Sequence, residues 1–599
     1  MTAKLSKYTP ELILFLYLLT FLVVKNPSDP FDRVLISDGK GYYAYLTAIF
    51  IYDDLDYNFI EDYEAKYYGH DKIKDFRYNF DGEIVNTYFP GVAFLMLPFF
   101  LIAHFLSLIL GFSADGYSLI YQYSIGLGAL FYLWIGLRFL QKLLQTFPFS
   151  INQISFILIL IALCTNINYY VLKEGAMSHV YSFAAISGFL IMVRKASINF
   201  RNLSIISAAF LFGLIVIIRP TNALLILLVP FITGSKDSFF NLIKNTFTKP
   251  KTIILVLIAA AFFPFAMMLL WYLQSGHWIV YSYGEHGFDF TNPYFFQILF
   301  SFDKGWFIYT PIALLAMGGF IWLFKKNKIQ FWWALIFMLA FVYVQSSWYC
   351  WTFTSNFGNR TFIDIYPLIA ILLGFLFLII NKQKFLKILF GPIFLVLILI
   401  NNLQFYQHYK YIYPPGTIDF AIYKDSFTRL IPAARVHVPD ELVKSKETFE
   451  NDFEENYGWL NYGSVTDTLA YAGKYSSQPG LVNDYSIGLL VDAKPLLKSE
   501  YVWLKVSAEV FSNQSQSRGQ LVVQLENKNQ FYFYNPFYLK EYIVQNKWTR
   551  MEFRCALPTL KAEDDQLRVF FFNTNKNDLL LVDDLKVEVI SFSADPEDK

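Results

Sequence analysis

The chain has 599 residues, 55% of them hydrophobic, 20% aromatic and only 16% charged, with a formal net charge of +1. That balance belongs to a multi-spanning membrane protein with an appended soluble part. Without a basic surplus to neutralise phosphates, it argues against a nucleic-acid partner. Cys164, Cys350 and Cys555 are scattered without metal-ligand spacing, so neither a disulfide framework nor a Cys/His metal motif is expected.

Lys4 and Lys7 precede the apolar run Leu12–Val24, which ends in Lys25-Asn26-Pro27 rather than in a small-residue cleavage site. This reads as an uncleaved anchor with its N-terminus inside. Further apolar segments lie near 118–137, 151–171, 176–193, 203–218, 221–234, 252–273, 306–324, 330–347, 362–381 and 388–405. The stretch 89–112 is ambiguous, because it is apolar but holds Pro90, Pro98 and His104. Charge placement decides it. If 89–112 does not span, the inside loops and ends carry 17 basic residues and the short outside loops carry four: Lys173, Arg219, Lys304 and Arg360. If it does, the asymmetry inverts. The positive-inside rule therefore predicts about eleven transmembrane helices, with 89–112 as a juxtamembrane or re-entrant element inside a long outer loop, 26–117.

An odd number of spans puts the C-terminus outside. Composition changes sharply after Ile400: a linker region over 406–445 leads to a predicted all-β sandwich over 446–599. Its strands are expected at 501–510, 520–525, 530–538, 549–556, 567–573 and 579–590.

The chemistry-bearing residues gather on the outer side. Asp38 stands alone in Ser37-Asp38-Gly39-Lys40-Gly41-Tyr42-Tyr43, a glycine-rich turn with Tyr42 and Tyr43 close behind. It reads either as a solvated turn residue or as a working carboxylate shielded by aromatics. The 52–64 run holds six acids, Asp53 and Asp54 among them, and no base. It is either a solvated loop face, or a cation site or a second carboxylate near Asp38. The four outer cations are either snorkelling residues or the surround of an anionic headgroup. Arg360, just after Gly358-Asn359, offers a fixed donor fork for phosphate, and Lys304 offers a point charge beside Asp303. Arg219, His179 and Glu285 fall on the same side, each with packing or loop structure as the competing role.

Together these residues suit sugar transfer from a lipid phosphate. A carboxylate takes the acceptor's proton and steadies charge at the anomeric carbon, and cations neutralise the departing phosphate. No Walker-type loop is present, so the pattern calls for no nucleotide and no cofactor; a divalent metal is left open.

The short first helix, the early Asp in a long outer loop and the many later helices resemble the GT-C glycosyltransferases. Bacterial members similar to protein O-mannosyltransferases and the aminoarabinose transferase of lipid A come nearest. The resemblance covers roughly 8–405. It rests on Asp38-Gly39-x-Gly41-Tyr42-Tyr43, Phe89-Pro90-Gly91, Met177-Ser178-His179, Arg219-Pro220-Thr221-Asn222 and Gly358-Asn359-Arg360. It implies a polytopic helical fold and inverting transfer from a polyprenyl-phosphate sugar to a glycan, lipid or protein acceptor. Asp38 would be the catalytic base and Arg360 would lie near the donor phosphate. Eukaryotic O-mannosyltransferases carry an Asp-Glu pair at that position; here Gly39 follows Asp38. The C-terminal region resembles carbohydrate-binding-module jelly rolls. The cues are Asp452-Phe453-Glu454, Ala472-Gly473-Lys474-Tyr475-Ser476, Trp548 and Val582-Asp583-Asp584-Leu585, with a structural calcium at the first and last strands as one implication. The expectation is a glycosyltransferase of the bacterial inner membrane, working on its outer, periplasmic face. A lipid-linked glycan polymerase or ligase, and a flippase of lipid-linked sugars, are the alternatives.

Overall fold

The computed structural model describes every residue except 1–5, 27–32, 64–65, 68–75, 285, 354–356, 411, 414–417, 419, 431–442, 456–458, 461, 481, 497–500, 515–516, 528–529, 559–561, 563 and 593–599. The chain divides into two compact units, residues 1–60 with 74–405 and residues 61–73 with 406–599.

The first unit is helical, and every one of the eleven expected segments forms helix. Their lengths differ from expectation. Among the described residues seven helices are long and apolar enough to cross a membrane: Gly91–Leu110, Leu119–Leu144, Ser178–Ile198, Pro250–Ser275, Lys328–Ser346, Arg360–Ile380 and Lys384–Tyr409. An eighth is counted if Pro220–Thr233 and Lys236–Phe247, which meet at a 118° bend, make one span. Thr9–Val24, Ile151–Leu163 and Asn202–Ile218 are apolar but shorter than the ~20 residues a bilayer asks of a straight helix. The expected span at 306–324 is divided into Trp306–Tyr309, Pro311–Ala316 and Gly319–Lys326, the first break falling at Pro311, which has no N–H to continue the ladder. The count of about eleven spans is thus not reached by length and composition. Arg360–Ile380 is the central helix of this unit, 89% buried over its apolar window, whereas Pro250–Ser275 and Lys384–Tyr409 are 11% buried and turn apolar side chains outward.

The ambiguous 89–112 stretch contains one continuous 20-residue helix, Gly91–Leu110, of mean hydropathy 2.4, so the re-entrant form of that expectation is corrected. Pro98 sits inside it and His104 is satisfied by the Tyr121 hydroxyl at 2.7 Å. Both of its ends are tied to the first-loop helix that begins at Asp38. Asn86 donates to the Gly41 carbonyl at 2.8 Å and the Tyr45 hydroxyl to Tyr88 O at 2.7 Å; beyond the far end, the Tyr43 hydroxyl donates to Gly116 O at 2.6 Å.

The second unit is built on β-sheet. Its strands are β3 (Val443–Asn451), β4 (Val465–Thr466), β5 (Ser476–Ser477), β6 (Leu489–Asp492), β7 (Tyr501–Ser512), β8 (Gln520–Asn527), β9 (Gln530–Tyr538), β10 (Thr549–Ala556), β11 (Gln566–Phe572) and β12 (Leu580–Phe592); β1 (Arg77–Phe80) and β2 (Glu83–Asn86) form a hairpin in the first unit. The six expected strands all form, within a few residues of their expected ends. One sheet runs β10-β7-β12-β5-β4 with β3 also on β12, the other β6-β11-β8-β9, and every pairing is antiparallel. Val506 and Val587 from the first sheet share one core with Val523 and Phe571 from the second, which makes the unit a sandwich. The residues that prompted the carbohydrate-module resemblance converge at one end. Glu454 Oε1 accepts the amides of Lys474 and Tyr475 at 2.7 and 2.8 Å, and Asp583 Oδ2 accepts those of Tyr471 and Ala472 at 2.8 and 3.2 Å. These acids close on loop amides. No group of three or more metal-ligand side chains occurs there or elsewhere among the described residues.

Candidate active site

Asp38 opens the helix Asp38–Thr47, and the residue before it is held at φ 49°, ψ −139°. Ser37 thereby occupies a region that side-chain-bearing residues rarely adopt, at a cost of about 1–3 kcal/mol. The strain turns the chain so that Asp38 enters the protein: its side chain is only 11% exposed. One carboxylate oxygen, Oδ2, takes a charge-assisted bond from Arg360 Nη2 at 2.7 Å, and the other, Oδ1, takes the Tyr88 hydroxyl at 2.6 Å. Burial, then Asp38 itself, pushes the Tyr88 hydroxyl well above the ordinary phenol range, so it stays protonated and donates. Gly41, one turn into the helix, makes this approach possible; a Cβ there would lie 2.3 Å from the Tyr88 ring.

Arg360 reaches Asp38 from the other end of the sequence. Gly358, at φ 58° and with no room for a Cβ beside Tyr309, turns the chain, and Asn359 caps the segment by accepting the Thr361 amide.

These groups line a cavity of about 260 Å³. Asp38, Tyr42, Tyr88, His179, Arg219 and Arg360 are on its walls, with Tyr281, Tyr283, Phe288, Trp348, Tyr349 and Phe353 as aromatic lining. His286 also lines it, stacked on Tyr349 with ring centroids 4.2 Å apart. Burial is the first cause raising the Tyr42 and Tyr283 hydroxyls above the usual range, so both face the cavity uncharged. Arg219 Nη1 lies 3.1 Å from His179 Nδ1 and 3.3 Å from Asp364 Oδ2, and Asp364 is fully buried.

Four expected site residues stand elsewhere. Tyr43 is fully buried, with its hydroxyl on Gly116 O; five residues after Asp38 it points away from the face that Tyr42, four residues on, shares with Asp38. Asp53 is exposed outside the cavity. Asp54 organises its own loop, accepting the amides of Asp56 and Asn58 at 3.0 and 2.7 Å. Lys304 is 2% exposed, 3.8 Å from Asp303, and is not on the cavity wall; burial pulls its ammonium below the ordinary lysine range. It is therefore withdrawn from the phosphate-binding role. Glu285 lies outside the described residues.

Two residues of the site escaped the sequence reading. Tyr88 precedes the noted Phe89-Pro90-Gly91, but nothing local marks its hydroxyl as a partner for Asp38. Asp364 did leave a signal: an acid at the start of an otherwise apolar helix is costly unless it is paired. Behind Arg360, Glu174 is 5% exposed, and burial pushes it up to about 7 while Arg360, Lys173 and Lys25 pull it back.

No protein-family model matches the chain, and no curated protein matches it. Among solved structures, the arabinosyltransferase EmbB from Mycobacterium smegmatis aligns over 97% of this chain and 64% of its own, at 9% identity and a TM-score of 0.39. The CBM22-1 xylan-binding domain of Paenibacillus barcinonensis Xyn10C aligns over 25% of this chain and 99% of its own, at 19% identity and a TM-score of 0.20. A family 16 carbohydrate binding module aligns over 22% of this chain and 91% of its own, at 15% identity and a TM-score of 0.17.

Proposed function

We propose that the chain is a membrane glycosyltransferase that moves a sugar from a polyprenyl-phosphate donor to an acceptor hydroxyl, with inversion. The observation that carries this reading is Asp38, a buried carboxylate on an aromatic cavity wall, bridged to Arg360 and Tyr88 and sharing the cavity with a second arginine. Donor phosphate oxygens take over Arg360, which frees Asp38 Oδ2 to receive the acceptor's proton while Tyr88 keeps Oδ1 oriented. The acceptor oxygen bonds to the anomeric carbon as the bond from that carbon to the phosphate oxygen breaks. The electron pair leaves with the lipid phosphate, whose charge Arg360 and Arg219 neutralise. The aromatic lining keeps water from competing as acceptor. Lys4 and Lys7 ahead of the first apolar segment support an inside N-terminus, and with it the outer face of a bacterial inner membrane as the working side of the loop that opens at Asp38, with the helical unit as the catalytic part.

The test is donor turnover by the purified protein in lipid, across a panel of polyprenyl-monophosphate sugars. Consumption of one donor, lost in Asp38→Asn, is expected. Consumption of diphosphate-linked glycans alone would transfer the site to a polymerase or ligase. A parallel readout needs no turnover: Cys350 lines the cavity and is partly exposed, whereas Cys164 and Cys555 are buried, so the donor should protect Cys350 from maleimide alkylation.

A further inference from the structure

Arg219 carries a contact that fixes the chemistry of its neighbour. A guanidinium only donates, so at 3.1 Å from Arg219 Nη1 the Nδ1 atom of His179 must accept, and the imidazole's proton is on Nε2. A second ring proton would set N–H against N–H and add a positive charge beside an arginine. The other groups around the ring do not compensate. Tyr170 presents its ring to the imidazole at 5.1 Å; Arg360, Asp38 and His286 line the same cavity, and Asp38 is already bridged by Arg360 and Tyr88. On its far side Arg219 is paired with Asp364, buried in the helix that follows Arg360, and Asn222 close by donates to Ser182 at 3.0 Å. Only Nη1 of Arg219 is engaged among the described residues, which leaves Nη2 and Nε for a ligand.

Building on the proposed donor, we infer that Asp364, Arg219 and His179 form a buried relay that supplies a second arm for the donor's phosphate oxygens. Asp364 is the positioning residue, Arg219 is the arm, and His179 is a permanently neutral Nε2–H donor on the cavity wall rather than an acid or base. Asp38 then remains the carboxylate that moves the proton, and the two arginines divide the work. Arg360 exchanges Asp38 for phosphate, whereas Arg219 is held ready by a carboxylate that never leaves it.

Two measurements test this. Binding of undecaprenyl phosphate in nanodiscs, followed through tryptophan fluorescence, should weaken about tenfold in Asp364→Asn and in Arg219→Lys. The double variant should be no weaker than either single one, because both remove the same arm. Additive losses, or unchanged affinity in both, overturn the relay. Nitrogen-15 NMR of histidine-labelled wild-type protein, with His179→Gln for assignment, should show His179 as the Nε2–H tautomer from pH 5 to 8. A protonated Nδ1, or titration within that range, overturns the relay whether or not the Asp364 and Arg219 variants fold. If wild type fails to bind the phospholipid while His179 shows the expected tautomer, the failure lies with the proposed donor and confines the relay to structure, which overturns its role as a phosphate arm.

Discussion

In the sandwich, Lys586 on β12 stands opposite Glu450 on β3 and meets it at 2.6 Å, with 37% and 63% of the two side chains exposed. In the helical unit Arg360 meets Asp38 at nearly the same distance, 2.7 Å, with 9% and 11% exposed. Equal geometry does not mean equal energy. The strand pair is screened by water and contributes roughly 0–1 kcal/mol. The buried pair has lost its hydration, so its net stabilisation is small, yet removing one partner leaves a stranded charge at a cost of about 3–5 kcal/mol. A fold has little reason to bury such a pair for stability alone. At the cavity the pair stores a carboxylate in ionised form until a ligand anion releases it.

The largest effect follows from breaking that pair. Asp38→Asn should lower transfer by about 10²–10⁴-fold, the range of a positioned general base. Because Arg360 keeps its charge, the same change should also lower the melting temperature. Asp38→Asn combined with Arg360→Met removes both charges and should recover the melting temperature without recovering transfer. If the double variant is no more stable than Asp38→Asn alone, Arg360 is not stranded and the account of the buried pair fails.

Glu174 sharpens the same contrast through pH. Burial raises it from 4.5 to about 7, so between those values the folded state binds the proton and the unfolded state releases it. Stability from this group is present at low pH and is lost as pH rises toward 7, by about 3 kcal/mol in all. Thermal unfolding at pH 5.5 and 8 should show this loss in wild type and a clear reduction in Glu174→Gln. Equal pH dependence in the two would mean that Glu174 is hydrated.

The sequence already held the parts of this arrangement that depend on local grammar. Asp38 beside Gly39 and Gly41, and Arg360 after Gly358, could be singled out because a lone charge next to glycine stands out in apolar, aromatic surroundings, although the expected turn at Asp38 is in fact the start of the helix Asp38–Thr47. The strands from Tyr501 onward were readable because alternation and turn residues mark them. Contacts across more than 300 residues were not readable in the same way: Lys304 and Arg360 are each a lone cation before a helix, and while the adjacent Asp303 offers Lys304 a partner in the sequence itself, only tertiary packing brings Arg360 to Asp38. Tyr43 is a different case. The helical period already separates it from Asp38 and keeps Tyr42 beside it.

Gly41→Ala probes how finely the cavity is set. The new methyl group would meet the Tyr88 ring at 2.3 Å and should push its hydroxyl off Asp38 Oδ1. Turnover should fall about tenfold to a hundredfold, as for a misplacement of roughly 1 Å, with donor affinity nearly unchanged because no cation moves. A matching loss of affinity would place Tyr88 in donor binding instead.

The smallest expected effect completes the contrast. Lys586→Ala removes one of several cross-strand partners: Glu588, 6% exposed, keeps Lys446 at 2.5 Å and Lys505 at 3.8 Å, while Glu450 turns to water. The loss should stay below about 1 kcal/mol and shrink further in high salt. Glu588→Gln should cost more, since it removes the buried acid on which Lys446, Lys505 and Lys586 converge. If the two substitutions are equally mild, burial does not set the worth of an ion pair here, and the stability penalty assigned to Asp38→Asn loses its basis as well.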